Sequence, residues 1–239
     1  VRDGHDVRPP ADAPLRGAFR TPGGRSVSMM WREGTCDWNT LTSCLTEDEY
    51  GMARRGGAAT MVDVGGYLGG VGIGYALDNR DARVWVVEPL PANCDLIREN
   101  IALNGVGDRV TLLEAAADAP GHERATVLWD FADDESGRHH RFVGNSSLAD
   151  GSASRLSAEV PAVSLPDLVA MAGGGIDLLK VDCEGGEYAL FAGSAEGVGE
   201  IVGEHHRGIA PLRDLLAATH AVAVTGGTDD FGAFVAVPL

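Results

Sequence analysis

From residue 60 onward, short apolar runs and longer amphipathic stretches take turns along the chain. "TMVDVGG" (60–66) is an apolar run broken by glycines, and "VGIGYALDN" (71–79) reads as the helix after it. "ARVWVVEP" (82–89) is rich in β-branched residues and closes on Glu-Pro. "ANCDLIRENIALNG" (92–105) keeps a helical period up to an Asn-Gly stop, and "RVTLLEAAA" (109–117) reads as a third strand. After an interruption the alternation resumes. "SLPDLVAMAG" (164–173) is a short helix with Ser164 or Pro166 near its start, and "IDLLKVDC" (176–183) is a strand. "GEYALFAG" (186–193) is a helix, "EIVGEHH" (200–206) a strand, and "PLRDLLAATH" (211–220) a helix opened by proline. The chain closes on "AVAVTGGTDDFGAFVAVPL", two strands around a Gly/Asp turn.

This alternation predicts an α/β fold: a mostly parallel, seven-stranded sheet with helices on both faces, right-handed crossovers and a terminal antiparallel hairpin. In such sheets ligands sit beyond the carboxyl ends of the strands, at the point where strand order reverses. Residues 1–25 are polar and Pro/Gly-rich and read as an arm, and residues 26–55 as a helical appendage. The division is therefore an N-terminal part, 1–55, on the lid or substrate side, and an α/β domain, 56–239, with an insertion at about 118–160. The insertion holds strand-like pieces ("ATVLWDF", "RLSAEVPAV") among acidic loops that carry His139 and His140. Loops on a rigid sheet often carry specificity.

Charge narrows the partners. Nineteen basic against 35 acidic residues give a formal net charge of −16. Such a surface repels phosphate backbones, and the basic runs "ARR" (53–55) and "RHHR" (138–141) are too short to offset it, so no nucleic-acid partner is expected. No apolar stretch is long enough for a membrane span, and the start lacks the pattern of a secretion signal. Cys36, Cys44, Cys94 and Cys183 form no CxxC pair, which fits a cytoplasmic protein with reduced thiols.

The candidate chemistry gathers at strand ends. "VDVGGYLGG" (62–70) puts Asp63, Gly65 and Gly69 at the first strand-to-helix turn, where glycines let a ligand approach the backbone. The spacing is not GxGxxG, and an acid before the glycines suits a cation better than a pyrophosphate; S-adenosylmethionine, with its ammonium and sulfonium, fits. Glu88 ends the second strand, where a carboxylate can accept ribose hydroxyls. Lys180 is the only lysine of the chain, inside an otherwise apolar strand. Period two places it on one face with Asp182 and Glu184 if the strand persists, and Asp182 or Glu204 would hold its ammonium. Glu204 and His206 share a face at the end of the fifth strand. These carboxylates could also hold a divalent metal, but no HxxxH or comparable spacing supports one. A glycine-rich turn and self-satisfied charges at a sheet end are the purely structural alternative.

Taken together, these segments resemble the FkbM family of S-adenosylmethionine-dependent methyltransferases. The resemblance runs over residues 34–206, through "GTCDWNTLTSCLTEDEYG", "VDVGGYLGG", "VVEPLPANCDLIRENIALNG", "LLEAAADAPG", "NSSL", "VSLPDL", "IDLLKVDCEGGEYALFAG" and "IVGEHH". It implies a class I methyltransferase fold in which 56–239 binds S-adenosylmethionine, with S-adenosylhomocysteine as product. It further implies O-methylation of a hydroxyl on a small molecule, such as a sugar or nucleoside moiety in natural-product (antibiotic) biosynthesis. By position, Asp63, Gly65, Gly69 and Glu88 would hold the cofactor, Asp182 would stand opposite it, and Ala116 would lie near the adenine. Thr35 and Asp37 match an N-terminal Gly-Thr-x-Asp element expected near the cofactor or lid. Tyr67 stands where the family usually has Asn, and could set a ring against cofactor or substrate. The expected mechanism has Asp182, Glu204 or His206 taking the hydroxyl proton while Lys180 orients the oxygen. A nicotinamide-dependent oxidoreductase is opposed by the missing GxGxxG and the terminal hairpin. A non-catalytic cofactor-binding module would have no use for the lysine–carboxylate cluster.

Overall fold

The computed structural model describes residues 14–129, 131–132, 141–142, 147–148 and 156–239. The chain opens with an antiparallel hairpin of β1 (Leu15–Arg20) and β2 (Ser26–Trp31), followed by the short α1 (Asp37–Leu41). Next come β3 (Thr60–Val64), α2 (Gly70–Asp78), β4 (Arg83–Val87), α3 (Pro91–Asn104), β5 (Val110–Leu113) and β6 (Ala116–Ala117). The insertion contributes β7 (Arg124–Trp129), β8 (Phe131–Ala132), β9 (Arg141–Phe142), β10 (Ser147–Leu148) and β11 (Leu156–Val163). The chain finishes with α4 (Leu165–Met171), β12 (Ile176–Val181), α5 (Glu187–Leu190), β13 (Val198–His205), α6 (Ile209–Leu216), β14 (His220–Gly227) and β15 (Gly232–Pro238).

Seven strands form the main sheet in the order β14-β15-β13-β12-β3-β4-β5. Neighbours from β13 to β5 run parallel, and β15 lies antiparallel between β13 and β14. The chain thus starts the sheet in the middle, builds outward through β4 and β5, and returns to β12 on the other side of β3. That return is the switch point, and the carboxyl ends of β3 and β12 face the same crevice. This is the predicted architecture, terminal hairpin included.

Alternation along β3 explains why the sheet needs cover on both sides. Met61 joins one apolar cluster with Val84, Ile73 and Ile97, while Val62 and Val64 join another with Leu179, Leu168 and Leu212. Each fully buried aliphatic side chain contributes about 1.5–3 kcal/mol. Local signals set the helix ends. Pro91 begins α3 and Gly105, at φ 61°, ends it. Ser164 and Asp167 form a reciprocal capping box on α4.

Two expectations need correction. Residues 15–31 are a β-hairpin rather than arm and helix, because Phe19, Val27 and Met29 are buried in the α2–α3 side of the core. Asn100 and Asn104 of α3 accept from the amides of Met30 and Ser28 and fasten the hairpin. The insertion's β7, β10 and β11 add a second sheet to β6, in the order β10-β7-β11-β6. His139, His140 and residues 1–13 lie outside the described residues.

Candidate active site

A cavity of about 310 Å³ opens at the carboxyl ends of β3, β4 and β12. One end is the backbone of the β3–α2 turn, Gly65 to Leu68, with Glu88 and Ala115 to Ala117. The other end carries Glu49, Tyr50, Asp182, Glu184 and Glu204. The turn is tight because β12 runs beside it. Gly65 has φ 76°, and a Cβ there would lie 1.6 Å from the Asp182 carbonyl oxygen.

Glu88, buried at 4%, accepts from the Tyr67 amide (3.0 Å), the Leu90 amide (3.0 Å) and Asn93 Nδ2 (3.0 Å). Burial pushes its carboxyl up to about 7, against those bonds. A carboxylate has about four acceptor positions, so one remains for a further donor.

Lys180 is held differently from what its neighbours in sequence suggest. Its strand pairs in register with β3, so Lys180 lies opposite Asp63, and Nζ sits 3.1 Å from Asp63 Oδ1. The same ammonium donates to the Gly65 carbonyl (2.8 Å) and the Val64 carbonyl (3.3 Å), with the Tyr50 ring 5.2 Å away. Burial would lower its pKa, but Asp63 and Asp182 outweigh that and raise it. Donating to two carbonyls and ion-paired with Asp63, Lys180 ties β12 across the end of β3, and its side chain also stands on the cavity lining. Asp63 is likewise fully buried and does not line the cavity. Its Oδ2 accepts from the Gly72 amide (2.9 Å) and its Oδ1 faces the Lys180 ammonium as an ion pair, joining β12, β3 and the start of α2.

Thr35 and Asp37 stand one layer behind the lining. Asp37, fully buried, forms a two-pronged pair with Arg32 (2.8 and 2.9 Å) and accepts the Tyr67 hydroxyl at 2.5 Å. Thr35 donates to the Arg32 carbonyl and accepts the Asp37 amide. Neither reaches the cavity lining. Tyr67 is on the lining, at φ 53°, but its hydroxyl is committed to Asp37 behind it. Gly65, Glu88, Ala116 and Asp182 are brought together on the lining; Gly69, at φ 80°, caps the start of α2 just off the lining, between Leu68 and Gly70, which are on it.

At the acidic end, β12 stops at Val181 and Glu184 turns the chain at φ 52°. Asp182 Oδ2 accepts the Tyr50 hydroxyl at 2.8 Å, and its buried Oδ1 has no hydrogen-bond partner among the described residues. His206 is gripped by Glu187, which accepts from its amide (2.9 Å) and lies 3.0 Å from Nδ1. Nε2 then faces Glu184 (3.5 Å), Asp182 (3.6 Å) and Glu204 (3.7 Å). Burial would lower the imidazole, but the Glu187 hydrogen bond and the charges of Glu187, Glu184 and Asp182 push it up to about 9. Holding its proton at neutral pH and standing off the lining, His206 is a fixed countercharge and not the expected base. Glu184 and Glu204 are raised by burial and by Asp182, and burial pushes Glu49 up to about 7.

Donor atoms of Asp182, Glu184 and His206 lie within 4.8 Å of one another, close enough for a divalent cation in place of the imidazolium proton. With that proton present the carboxylates already have their counterion. Sequence reading missed Glu49, Tyr50 and Glu187. Glu187 closes the Lys-x-Asp-x-Glu-Gly-x-Glu run, but a fully buried acid on α5 whose partner lies just past the end of β13 has no local mark.

The imidazolium makes stability depend on pH. Its folded value, about 9, exceeds the ordinary imidazole value of about 6.5, so its contribution is complete below about 6.5 and is lost as pH rises through 9. Glu49 and Glu88 also lose stability as pH rises toward about 7, but they do so in both proteins, so the difference between the parent and a His206 variant reports the imidazole. Denaturant titrations from pH 6.5 to 9.5 should lose on the order of 3 kcal/mol in the parent relative to His206→Gln. Parallel pH curves for the two proteins would refute the charged state.

Strand order, switch-point cavity and the acid at the tip of β4 define a class I methyltransferase fold. The model of the FkbM methyltransferase domain matches residues 63–218, and the chain belongs to that family. No curated protein matches the chain. Among solved structures, it is similar to a candidate O-methyltransferase from Nostoc punctiforme (10% identity, 84% of this chain and 58% of that one, TM-score 0.48). It is also similar to an O-methyltransferase family protein from Burkholderia thailandensis (12%, 84% and 58%, 0.47). A third is a precorrin-6y C5,15-methyltransferase from Geobacter metallireducens (15%, 80% and 87%, 0.44). The chain spans less than two thirds of the first two. Among the described residues, no helix is long and apolar enough to cross a membrane.

Proposed function

We propose that this chain is an S-adenosylmethionine-dependent O-methyltransferase acting on a hydroxyl of a small molecule, a sugar or nucleoside moiety in natural-product biosynthesis. The observation that carries the reading is the polarity of the cavity. Backbone, alanines and one carboxylate with a single acceptor position left line one end, and carboxylates the other, with Asp182 Oδ1 buried and in want of a donor. A cofactor with a ribose, an ammonium and a sulfonium meets each need: Glu88 for the ribose, Ala115 to Ala117 beside the adenine, acidic groups for the cationic end. Bound there, S-adenosylmethionine supplies an activated methyl group and leaves as S-adenosylhomocysteine.

The chain's own work is then positioning and proton removal. The Lys180–Asp63 tie fixes the β3–α2 turn against β12. Asp182 and Glu204 on the lining take the hydroxyl proton, and His206, held by Glu187, balances the charge they carry. The acidic lining and the −16 charge favour a neutral or cationic acceptor over a nucleic acid. The same reading places the protein in the cytoplasm, in keeping with four free thiols.

The deciding measurement is calorimetric titration with S-adenosylmethionine and S-adenosylhomocysteine. Micromolar binding is expected, weakened about tenfold or more in Glu88→Gln, which keeps the shape of the side chain. Absence of binding by the folded parent protein would sink the proposal.

A further inference from the structure

At the opposite end of the sheet, a second cavity of about 510 Å³ lies between the β1–β2 turn, the C-terminus of α2 and the entry to β5. Its lining is Arg20, Gly24, Arg25, Ser26, Leu77, Arg80 and Arg109, with no carboxylate. In a chain with 35 acidic residues, four guanidinium-bearing residues around one cavity are a local reversal of the field. They come from three distant segments, so no basic run in the sequence announces them.

The scaffold under them is built. Asp78, at the end of α2, accepts from Thr21 Oγ1 (2.6 Å) and the Gly23 amide (2.7 Å) and from none of these guanidiniums. Those bonds pin the turn that carries Arg20 and Arg25. Arg20 donates to the Gly24 carbonyl (3.1 Å), and Arg109 to the Ala76 carbonyl (3.3 and 3.4 Å) and to Asp108 (3.2 Å). Among the described residues, the side chains of Arg25 and Arg80 have no hydrogen-bond or ion-pair partner.

We infer that this cavity is a binding site for a diphosphate-bearing small molecule. Guanidinium forks match phosphate oxygens in pairs, and the two unengaged ones, Arg25 and Arg80, offer one fork to each phosphate of a diphosphate, with Arg20 and Arg109 beside them. The volume exceeds a diphosphate alone, and Leu77 offers an apolar wall to the group it is attached to. A polymeric nucleic acid is opposed by the net charge. The site stands at the amino ends of the parallel strands, so its occupant is distinct from cofactor and acceptor.

The test is calorimetric titration with inorganic pyrophosphate and with a nucleoside diphosphate, at about 0.15 M salt so that diffuse attraction is screened. Saturable one-to-one binding is expected, weakened about tenfold or more in Arg25→Ala/Arg80→Ala and unchanged in Arg213→Ala on α6. Stronger binding of the nucleoside diphosphate than of pyrophosphate would assign the attached group to the Leu77 wall. Both substituted arginines are exposed and unpartnered, so thermal unfolding and S-adenosylmethionine affinity should stay at parent values. No saturable binding of either probe, equal binding by the double variant, or binding of an RNA oligonucleotide in their place would overturn the inference.

Discussion

Lys180→Met should cost about 3–5 kcal/mol of folding stability, more than any other single change at the site. The reason is what it leaves behind. Asp63 has no exposure and, among the described residues, counts Lys180 as its only cationic partner, at 3.1 Å, so removing the ammonium strands a carboxylate in the sheet interior. The carbonyls of Val64 and Gly65 lose a donor at the same moment, and they form the turn beside the cofactor end of the cavity. Desolvating the lysine is itself costly, so the pair as a whole contributes little, and a chain lacking both charges should recover much of the loss. Denaturant titration of Lys180→Met, Asp63→Asn and the double variant measures this as a coupling. The double variant should be far more stable than the sum of the single losses would allow. If Lys180→Met kept parental stability and lost only turnover, Lys180 would be an acceptor-facing group and the tie across β3 would not be its role.

Lys180 also shows where sequence reading succeeds and where it stops. A lone ammonium inside "IDLLKV" is visibly anomalous, and its strand and its place near the site could be read from that alone. Its partner could not. Period two offers Asp182 and Glu184 on the same face, but β12 ends at Val181, and the partner comes from the register with β3, which no spacing within one strand encodes. The strand order was legible because alternation and a terminal hairpin leave few topologies. Glu88 was legible because it ends a β-rich run before proline. The β1–β2 hairpin was not. "LRGAFR" and "SVSMMW" bury only Phe19, Val27 and Met29 fully, and what holds them is a pair of asparagines on α3 some seventy residues away. The partners of Thr35 and Asp37 were illegible for a related reason. An acid after a Gly-Thr pair looks available to a ligand until Arg32 and Tyr67 are found around it. Tyr50 and Glu49 sit in a segment without regular structure, so no period marked them for the lining.

The second large effect is expected at the acidic end. Asp182→Asn and Glu204→Gln should each lower kcat by about 100-fold or more, on any hydroxyl acceptor that the parent enzyme methylates. Both substitutions preserve shape, and the amide oxygen that replaces Asp182 Oδ2 can still accept the Tyr50 hydroxyl, so stability should change little. What they remove is proton affinity. An alcohol is nearly as weak an acid as water, at about 15.7, and gives up its proton as the new bond forms only if an acceptor with open lone pairs is at hand. Among the described residues Asp182 Oδ1 accepts no hydrogen bond, and it and Glu204 face the His206 imidazole at 3.6 and 3.7 Å. His206 cannot substitute for them, because its Nε2 already carries the proton that balances the cluster. Its replacement should shift the pH dependence of kcat rather than abolish turnover. Measuring cofactor affinity beside kcat separates the two jobs this end of the cavity could do. A loss confined to S-adenosylmethionine affinity in Asp182→Asn would assign that oxygen to the cofactor's ammonium, leaving Glu204 as the base. Near-parental kcat in both variants would show that neither carboxylate receives the proton, and the catalytic assignment would fall while the cofactor end stood.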